Sequence, residues 1–187
     1  MNPEQLTERL IPFYLGEESN TEGRMIQEIW AWDFEALESV HNYIQWLFPI
    51  AEKSMFNRNA PVVDEAVMEA FGSDERLRGN LRRSLIVLLK FYGLELCENG
   101  NEQVVVDRSD NYQDRIQAWV YPFDHNYLRI TRILKCLMAF GMEVEAQAFY
   151  GCLCQIYQEN QEQVGEETFW YWTDAVESGR DGIYSTS

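Results

Sequence analysis

A leucine-rich segment between Ser73 and Gly93 constrains the fold of this chain more than any other feature. Its apolar residues recur at spacings of three and four, which is typical of a helix that buries one face. These residues are Leu77, Leu81, Leu85, Leu88, Leu89 and Tyr92. We expect Ser73 to cap the helix and Gly93 to end it, because serine binds free amides at helix starts and glycine readily turns left-handed. The segment therefore predicts one long, half-buried helix.

Similar spacing predicts helices in most other parts of the chain. The predicted helices span about residues 3–15, 33–48, 64–71, 126–140 and 143–160. The aromatic run Phe169–Trp172 is expected to be helical as well. Val104–Val106 favours a short strand because its residues are β-branched, and 99–101 reads Asn-Gly-Asn, which indicates a turn. The sequence therefore predicts an all-α fold, a single-domain bundle of about six to eight helices.

Length and composition agree with one domain that needs no disulfide bonds. The chain has 187 residues, of which 46% are hydrophobic and 14% are aromatic. A chain of this size buries about 70% of its unfolded surface. We expect residues 1–177 to form the helical domain and the small, polar segment 178–187 to be a flexible tail.

The charge distribution excludes two classes of partner. The formal net charge is −16, and contacts with nucleic acid or with anionic membranes need lysine and arginine. The middle of the chain differs, because residues 76–135 carry 10 bases and 7 acids. This segment either neutralises the acidic ends of the chain or forms a groove that accepts an anionic group.

The cysteines and the absence of apolar runs indicate a cellular compartment. None of the four cysteines forms a C-x-x-C pair, and Cys152 and Cys154 point to different sides of a predicted helix. We interpret all four as reduced thiols, most of which fill the core. The sequence shows neither a signal peptide nor an apolar run long enough to span a membrane. We therefore predict a cytoplasmic protein without membrane insertion.

The sequence His-Asn-Tyr occurs twice, at His41–Tyr43 and at His125–Tyr127. Together with further motifs, these segments resemble the conserved region of the opioid growth factor receptor family over about residues 26–149. The motifs are Glu28–Trp30, His41–Pro49, Phe91–Gly93, Asn111–Gln113 with Arg115, His125–Leu134, Gly141 and Gln147–Ala148. The resemblance implies an intracellular helical protein, and since the vertebrate receptor binds a peptide, it implies a peptide or protein partner. The receptor's repeats and basic import stretch are not found here, so we expect an isolated domain.

Basic and polar side chains in the middle of the chain are the strongest candidates for a binding site. Arg129 and Arg132 share one side of a predicted helix, and arginine holds carboxylates with two parallel hydrogen bonds. The candidate ligand- or partner-binding residues are Arg129, Arg132, Asn111, Tyr112, Arg115, His125, Asn126, His41 and Trp46. The alternative is a buried polar network in which these groups fix helix packing.

The sequence contains no recognisable catalytic or metal-binding motif. It has no nucleophile elbow, phosphate-binding glycine loop or HExxH pattern. His41 and His125 have no convergent carboxylate motif, so we predict no catalytic residue, no metal and no cofactor. Trp170 and Trp172 should face different ways on their helix, which makes one of them a candidate interface anchor. The other aromatic residues are interpreted as core.

The sequence therefore favours a non-catalytic module that engages a peptide or protein partner through a basic and aromatic groove. Two other classes stay open at this stage. One is a small-ligand-binding protein or an enzyme of unrecognised type, and the other is a structural subunit of a complex. A closed pocket with convergent polar groups would favour an enzyme, whereas an exposed apolar patch would favour interaction.

Overall fold

A computed structural model describes residues 3–54, 57, 59–98 and 103–181 of the protein. The predicted turn at 99–101 and the last six residues of the predicted tail lie outside these ranges. The chain forms two compact units, residues 1–87 and 88–187. Helix α6, Glu75–Tyr92, belongs partly to each unit. No helix in the described part of the chain is both long and apolar enough to cross a membrane.

The first unit is helical and packs around aromatic side chains. Its other helices are α1 Pro3–Leu15, α2 Ile26–Trp30, α3 Phe34–Ser39, α4 Ile44–Leu47 and α5 Glu65–Ser73. The ring of Phe13 meets Trp46 edge-on with centroids 5.2 Å apart, and Tyr14 meets Phe71 at 4.8 Å. The hydroxyl of Tyr14 also donates a hydrogen bond to the carbonyl of Leu47. These contacts hold α1 against α4 and α5.

The long helix predicted for residues 33–48 is wrong, because the backbone leaves the helical conformation at Val40. Val40 has φ −87° and ψ 132°, which is extended. In a continuous helix the carbonyl of Leu37 would accept a bond from the amide four residues later. Here the hydroxyl of Tyr43 donates to that carbonyl at 3.0 Å. A buried tyrosine thus replaces the next helical bond, and the segment divides into α3 and α4.

The cap predicted for the leucine-rich helix is one residue out of place. The hydroxyl of Ser73 donates to the carbonyl of Glu69 at 2.9 Å, so Ser73 ends α5. Asp74 caps α6 instead, because its carboxylate accepts the backbone amide of Arg76 at 2.8 Å. Serine and aspartate are about equally good caps. The negative charge of aspartate is stabilised in addition by the partial positive charge at the start of a helix.

The second unit combines helices with a two-stranded sheet. After α6 come β1 Leu94–Glu98, β2 Val104–Arg108, α7 Tyr112–Trp119, α8 Asn126–Ala139, α9 Glu143–Glu159, α10 Gln161–Val164 and α11 Glu166–Asp181. The strands are antiparallel, with Leu94 opposite Arg108 and Glu98 opposite Val104. Packing of β2 against α9 supplies the support that an isolated strand pair lacks.

The fold is therefore mostly helical but not all-α, and the eleven helices in the described residues exceed the six to eight predicted. The excess comes from short helices such as α2 and α10 and from the division of the predicted helix at 33–48. Gly93 allows the abrupt change from α6 to β1, with φ +80°. A Cβ atom there would lie 2.8 Å from the Cβ atom of Arg115, so the close approach of α7 also requires glycine.

Aromatic contacts organise the core of the second unit. The ring of Tyr127 lies 6.5 Å from that of Trp119 and 5.8 Å from that of Trp172, measured between centroids. The indole Nε1–H of Trp172 donates to the carbonyl of Tyr127 at 3.2 Å. One residue at the start of α8 thus contacts both α7 and α11.

Replacing Tyr43 by phenylalanine should lower the free energy of unfolding by about 1–3 kcal/mol, because the buried carbonyl of Leu37 loses its donor. Urea denaturation measures the change. Tyr171→Phe is the matched control, since the Tyr171 ring is exposed and loss of its hydroxyl should shift the value by less than about 0.5 kcal/mol. Equal effects of the two substitutions would show that the Tyr43 hydroxyl does not hold the break between α3 and α4.

Candidate functional site

The second His-Asn-Tyr motif forms the start of α8 and contains a buried polar chain. The carboxylate of Asp124 accepts the backbone amide of Asn126 at 2.8 Å. The side-chain oxygen of Asn126 in turn accepts a bond from Nη1 of Arg129 at 3.1 Å. All three residues are buried. His125 lies at the edge of this chain, with Nδ1 3.6 Å from the second carboxylate oxygen of Asp124.

These contacts favour the polar-network interpretation for Arg129. Its exposed fraction is 5%, and a buried guanidinium is stable only where hydrogen bonds and opposite charge offset the loss of water. Asn126 supplies such a hydrogen-bond partner. Arg132, three residues further along α8, is only half-buried. The two arginines that the sequence pairs on one helix side thus differ in their access to a partner.

The candidate residues around α7 form a second set of contacts. Nε of Arg115 donates to the carbonyl of Phe91 at 2.7 Å, and its guanidinium lies 4.9 Å from the Phe91 ring. The buried ring of Tyr112 is covered by Arg108 at 4.5 Å, and burial raises the pKa of the Tyr112 hydroxyl. Asn111 is half-buried and accepts a bond from the Ser109 hydroxyl at 2.7 Å.

The two candidates in the first unit have different environments. His41 is exposed, whereas Trp46 is fully buried against Phe13. Between them, Asn42 accepts a hydrogen bond from Nη1 of Arg24 at 2.7 Å. The environment of Trp46 is therefore that of a core residue. In the second unit, the accessible candidates are Asn111, Arg115, His125 and Arg132, each of which is half-buried.

Sequence reasoning missed the turn that precedes α8, residues 121–124. The backbone amide of Asp124 donates to the carbonyl of Tyr121 at 3.3 Å, which closes the turn. Phe123 has φ +64° and is completely exposed, with a relative accessibility of 101%. Proline followed by a left-handed residue is typical of the two central positions of a type II turn, the second of which is normally glycine. The Tyr-Pro-Phe sequence was the available signal.

Two large apolar side chains flank the exposed phenylalanine along the chain. Tyr121 is 45% exposed and Leu128, in the first turn of α8, is 58% exposed. On α11, the prediction that Trp170 and Trp172 face different ways is confirmed, because Trp170 is 58% exposed and Trp172 is buried. The second unit therefore presents apolar and aromatic groups to solvent on both α8 and α11.

The four cysteines are free thiols, as expected. Cys136 and Cys152 are buried, whereas Cys97 and Cys154 are half-buried. Burial raises the pKa of the Cys152 thiol to about 11 and that of Cys136 well above its usual value. These two side chains therefore behave as apolar core groups.

Comparison with known proteins finds relatives of one family. Residues 6–181 match the opioid growth factor receptor (OGFr) conserved region, a longer span than the motifs predicted. The human opioid growth factor receptor is 39% identical over 124 residues, which are 65% of this chain and 18% of that protein. Opioid growth factor receptor-like protein 1 of Xenopus tropicalis is 40% identical over 129 residues, 65% of this chain and 23% of that protein.

The resemblance predicted from the motifs is thus confirmed for most of the chain. The chain matches less than a quarter of the length of either of these relatives. No solved structure shows a match.

Arg129→Met should lower the free energy of unfolding by about 2–3 kcal/mol, because the buried oxygen of Asn126 loses its charged donor. Arg132→Met is the matched control on the same helix, and its effect should stay within about 0.5 kcal/mol since Arg132 is half-buried. Urea denaturation of both variants and of the wild type measures these changes in the free energy of unfolding. Equal stabilities would exclude a structural role that is particular to Arg129.

The free energy of unfolding should fall as the pH rises from about 9 to about 11. Cys152 has an ordinary pKa of 9.0 when unfolded and keeps its proton to about 11 in the folded state. Between these values the unfolded chain releases the proton more readily, so alkaline pH favours unfolding. Burial raises the pKa of Cys136 and of Tyr127 in the same direction.

Urea denaturation under reducing conditions at about pH 8 and about pH 10.5 measures this dependence. Cys152→Ala should reduce the decrease, because its titration is removed from both states. A wild-type protein that is equally or more stable at the higher pH would contradict the burial of these groups.

Proposed function

Because this chain belongs to the opioid growth factor receptor conserved-region family, we propose that it is a non-catalytic module that binds a peptide or protein partner. Relatives of this chain carry the word receptor in their names, which supports a binding role. The four free cysteines support a reducing, cytoplasmic location. The proposed contact surface is the turn at 121–124 together with the first turns of α8.

The exposure of Phe123 is the observation that carries this proposal. A non-glycine residue in the left-handed region costs about 1–2 kcal/mol, and Phe123 has φ +64°. Its ring is completely exposed, so folding recovers none of this free energy through burial. A bulky apolar side chain that is exposed to water at a strained backbone position is explained by a partner that buries it.

The residues around Phe123 indicate the chemistry of the partner. Tyr121 and Leu128 extend the exposed apolar surface. Arg132 lies one helical turn beyond Leu128 and adds a positive charge, and His125 lies between the turn and α8. Arginine and aromatic residues are enriched among the side chains that dominate interface energies. We therefore expect the partner to offer an apolar pocket with acidic side chains near its rim.

Residues that hold the helices in place have a different role in this proposal. Asp124, Asn126 and Arg129 hold the start of α8 through their hydrogen bonds, and thereby position the exposed turn. Arg115 and Tyr112 hold α7 beside Gly93. Contact with the partner is assigned to Tyr121, Phe123, Leu128, Arg132 and His125.

A photo-reactive phenylalanine, p-benzoylphenylalanine, at position 123 tests the proposal. On irradiation of cells that express the full chain, we expect one discrete cross-linked product that mass spectrometry identifies as a protein or peptide. The same group at Ile86, which is 43% exposed on α6, is the control and should not give this product. Arg132→Glu in the position-123 protein should reduce the product at least several-fold, since the partner is expected to be acidic there.

Phe123→Gly separates binding from folding. Glycine relieves the left-handed strain, so the free energy of unfolding should stay equal or rise by up to about 1 kcal/mol. The purified variant should nevertheless lose binding to the cross-linked partner by about tenfold or more, as expected for removal of a central aromatic anchor. A variant that binds as well as the wild type, or identical products from positions 86 and 123, would contradict the proposal.

A further inference from the structure

The strand β2, Val104–Arg108, has one edge that β1 does not cover. The amide of Ser109 donates to the carbonyl of Gly93 at 3.0 Å, and the register places Glu95 opposite Asp107 and Cys97 opposite Val105. Hydrogen-bonded and non-hydrogen-bonded pairs alternate along an antiparallel ladder. The main-chain groups of Asp107 and Val105 therefore point towards β1, whereas those of Val104 and Val106 point away from it.

The outward amides and carbonyls of Val104 and Val106 have no hydrogen-bond partner among the residues that the structure describes. The next outward amide, that of Arg108, is satisfied by the carboxylate of Asp107 at 2.8 Å. Exposed strand edges are usually protected by proline, a bulge or a charged side chain. Here the outward positions lie within three consecutive valines, which are residues with a high preference for strands.

A groove of about 610 Å³ runs between this strand and α9. Its described lining comprises Gln103, Val104, Val105, Val106, Glu143, Val144, Gln147, Ala148, Gly151, Cys152 and Gln155. Consecutive strand residues point to opposite faces of a sheet, and all three valines line the groove. The groove therefore opens along the edge of β2 and not over one of its faces. Its volume lies within the range of about 300–1,000 Å³ that is typical of ligand sites.

The α9 side of the groove supplies space, apolar surface and a free donor. Ala148 and Gly151 are small. Val144 is apolar and nevertheless 59% exposed. Nε2 of Gln147 is a buried atom without a hydrogen-bond partner in the described structure. Such a group normally binds a carbonyl or water, and a main-chain carbonyl in the groove would satisfy it.

The charge of the groove restricts the occupant further. Glu143 is the one charged residue in the described lining, and the chain as a whole has a net charge of −16. An acidic segment would be repelled by this negative charge, whereas a basic one would be attracted. Side chains that alternate between the sheet faces would meet the valines of β2 and the small residues of α9, so small or β-branched residues fit best.

We propose that the groove between β2 and α9 binds an extended, basic segment of a partner protein, which adds to β2 as a third strand through Val104 and Val106. The carbonyl groups of the segment also satisfy Gln147. This mode, in which a peptide extends an exposed sheet edge, draws its affinity from main-chain bonds and its selectivity from alternate side chains. The groove is a separate surface from the turn at 121–124, so its occupancy does not depend on the function proposed above.

A displayed library of random nine-residue peptides, selected on the purified full chain, tests this inference. We expect enrichment of peptides that carry alternating small or β-branched residues and at least one lysine or arginine. Ala148→Trp should abolish their binding, because the indole fills the groove. Gln158→Trp is the matched control on α9, since Gln158 is exposed and lies outside the lining, and it should bind as the wild type does.

The position of a selected peptide is measured by nuclear magnetic resonance. The amides of Val104 and Val106 should shift on binding and exchange more slowly with solvent, because each gains an acceptor. N-methylation of the alternate peptide residues that pair with β2 should weaken binding about tenfold per lost hydrogen bond, and methylation of the intervening residues should not. Val104→Pro removes an outward amide without removing a bond to β1 and should likewise weaken binding, which provides a second variant if Ala148→Trp does not fold.

Three outcomes would overturn the inference. One is a library from which no peptide is enriched. Another is a selected peptide that binds Ala148→Trp or Val104→Pro as tightly as the wild type, or that shifts amides elsewhere in the chain. The third is a dimer in native mass spectrometry that Ala148→Trp converts to a monomer, because the edge would then bind a second copy of this chain.

Discussion

The fold of the second unit depends on Tyr127, which is bound from two sides at once. Its ring contacts Trp119 of α7 and Trp172 of α11, and its carbonyl accepts the indole N–H of Trp172. A carbonyl in the first turn of a helix is normally committed to the amide four residues later. The added bond from Trp172 therefore places α11 against the start of α8 in one orientation. Because that side of α8 is occupied, Leu128 and the preceding turn are left to face solvent.

The two His-Asn-Tyr motifs solve the same local problem in the two units. In each, the asparagine oxygen accepts a bond from an arginine, Arg24 for Asn42 and Arg129 for Asn126. In each, the tyrosine is buried and meets a tryptophan edge-on, with centroids 5.4 Å apart for Tyr43 and Trp32 and 5.8 Å for the second pair. The shared residues thus stabilise the starts of helices. Because polar residues with such a structural role look like binding residues in a sequence, buried groups such as Arg129 were predicted as binding candidates.

Local patterns allowed most elements of this fold to be predicted, whereas long-range contacts explain the differences. The helices near 3–15, 126–140 and 143–160 were predicted from local patterns, and the first two also have a glycine just after their ends, Gly16 and Gly141. The prediction of one helix over 33–48 was wrong, because the hydrogen bond from the Tyr43 hydroxyl to the Leu37 carbonyl cannot be inferred from periodicity. The strand pair was underestimated because its support comes from α9, more than thirty residues later in the chain.

The residues of the candidate site were harder to predict, because their burial also depends on long-range contacts. Residue type suggested that Arg129 and Arg132 act together, but burial, which depends on the packing of α11 and α9 against α8, gives them different environments. Phe123 was not considered, because apolar residues in a sequence are normally assigned to the core. The Tyr-Pro-Phe sequence indicates a turn, but only the φ angle and the exposed fraction show that Phe123 is strained and open to solvent.

The turn at 121–124 and the outer edge of β2 are departures from what favours folding alone. Glycine in place of Phe123 would relieve strain, and a lysine or proline in β2 would protect its edge. Neither feature is compensated by contacts in the described structure, whereas hydrogen bonds join the polar chain from Asp124 through Asn126 to Arg129. Sequences that fold well are consistent at every level, and their inconsistencies concentrate at sites of function. On this argument the two proposed binding surfaces lie where an apolar side chain is exposed and where main-chain groups lack a partner among the described residues. The buried polar motif at the start of α8 positions the first of these surfaces.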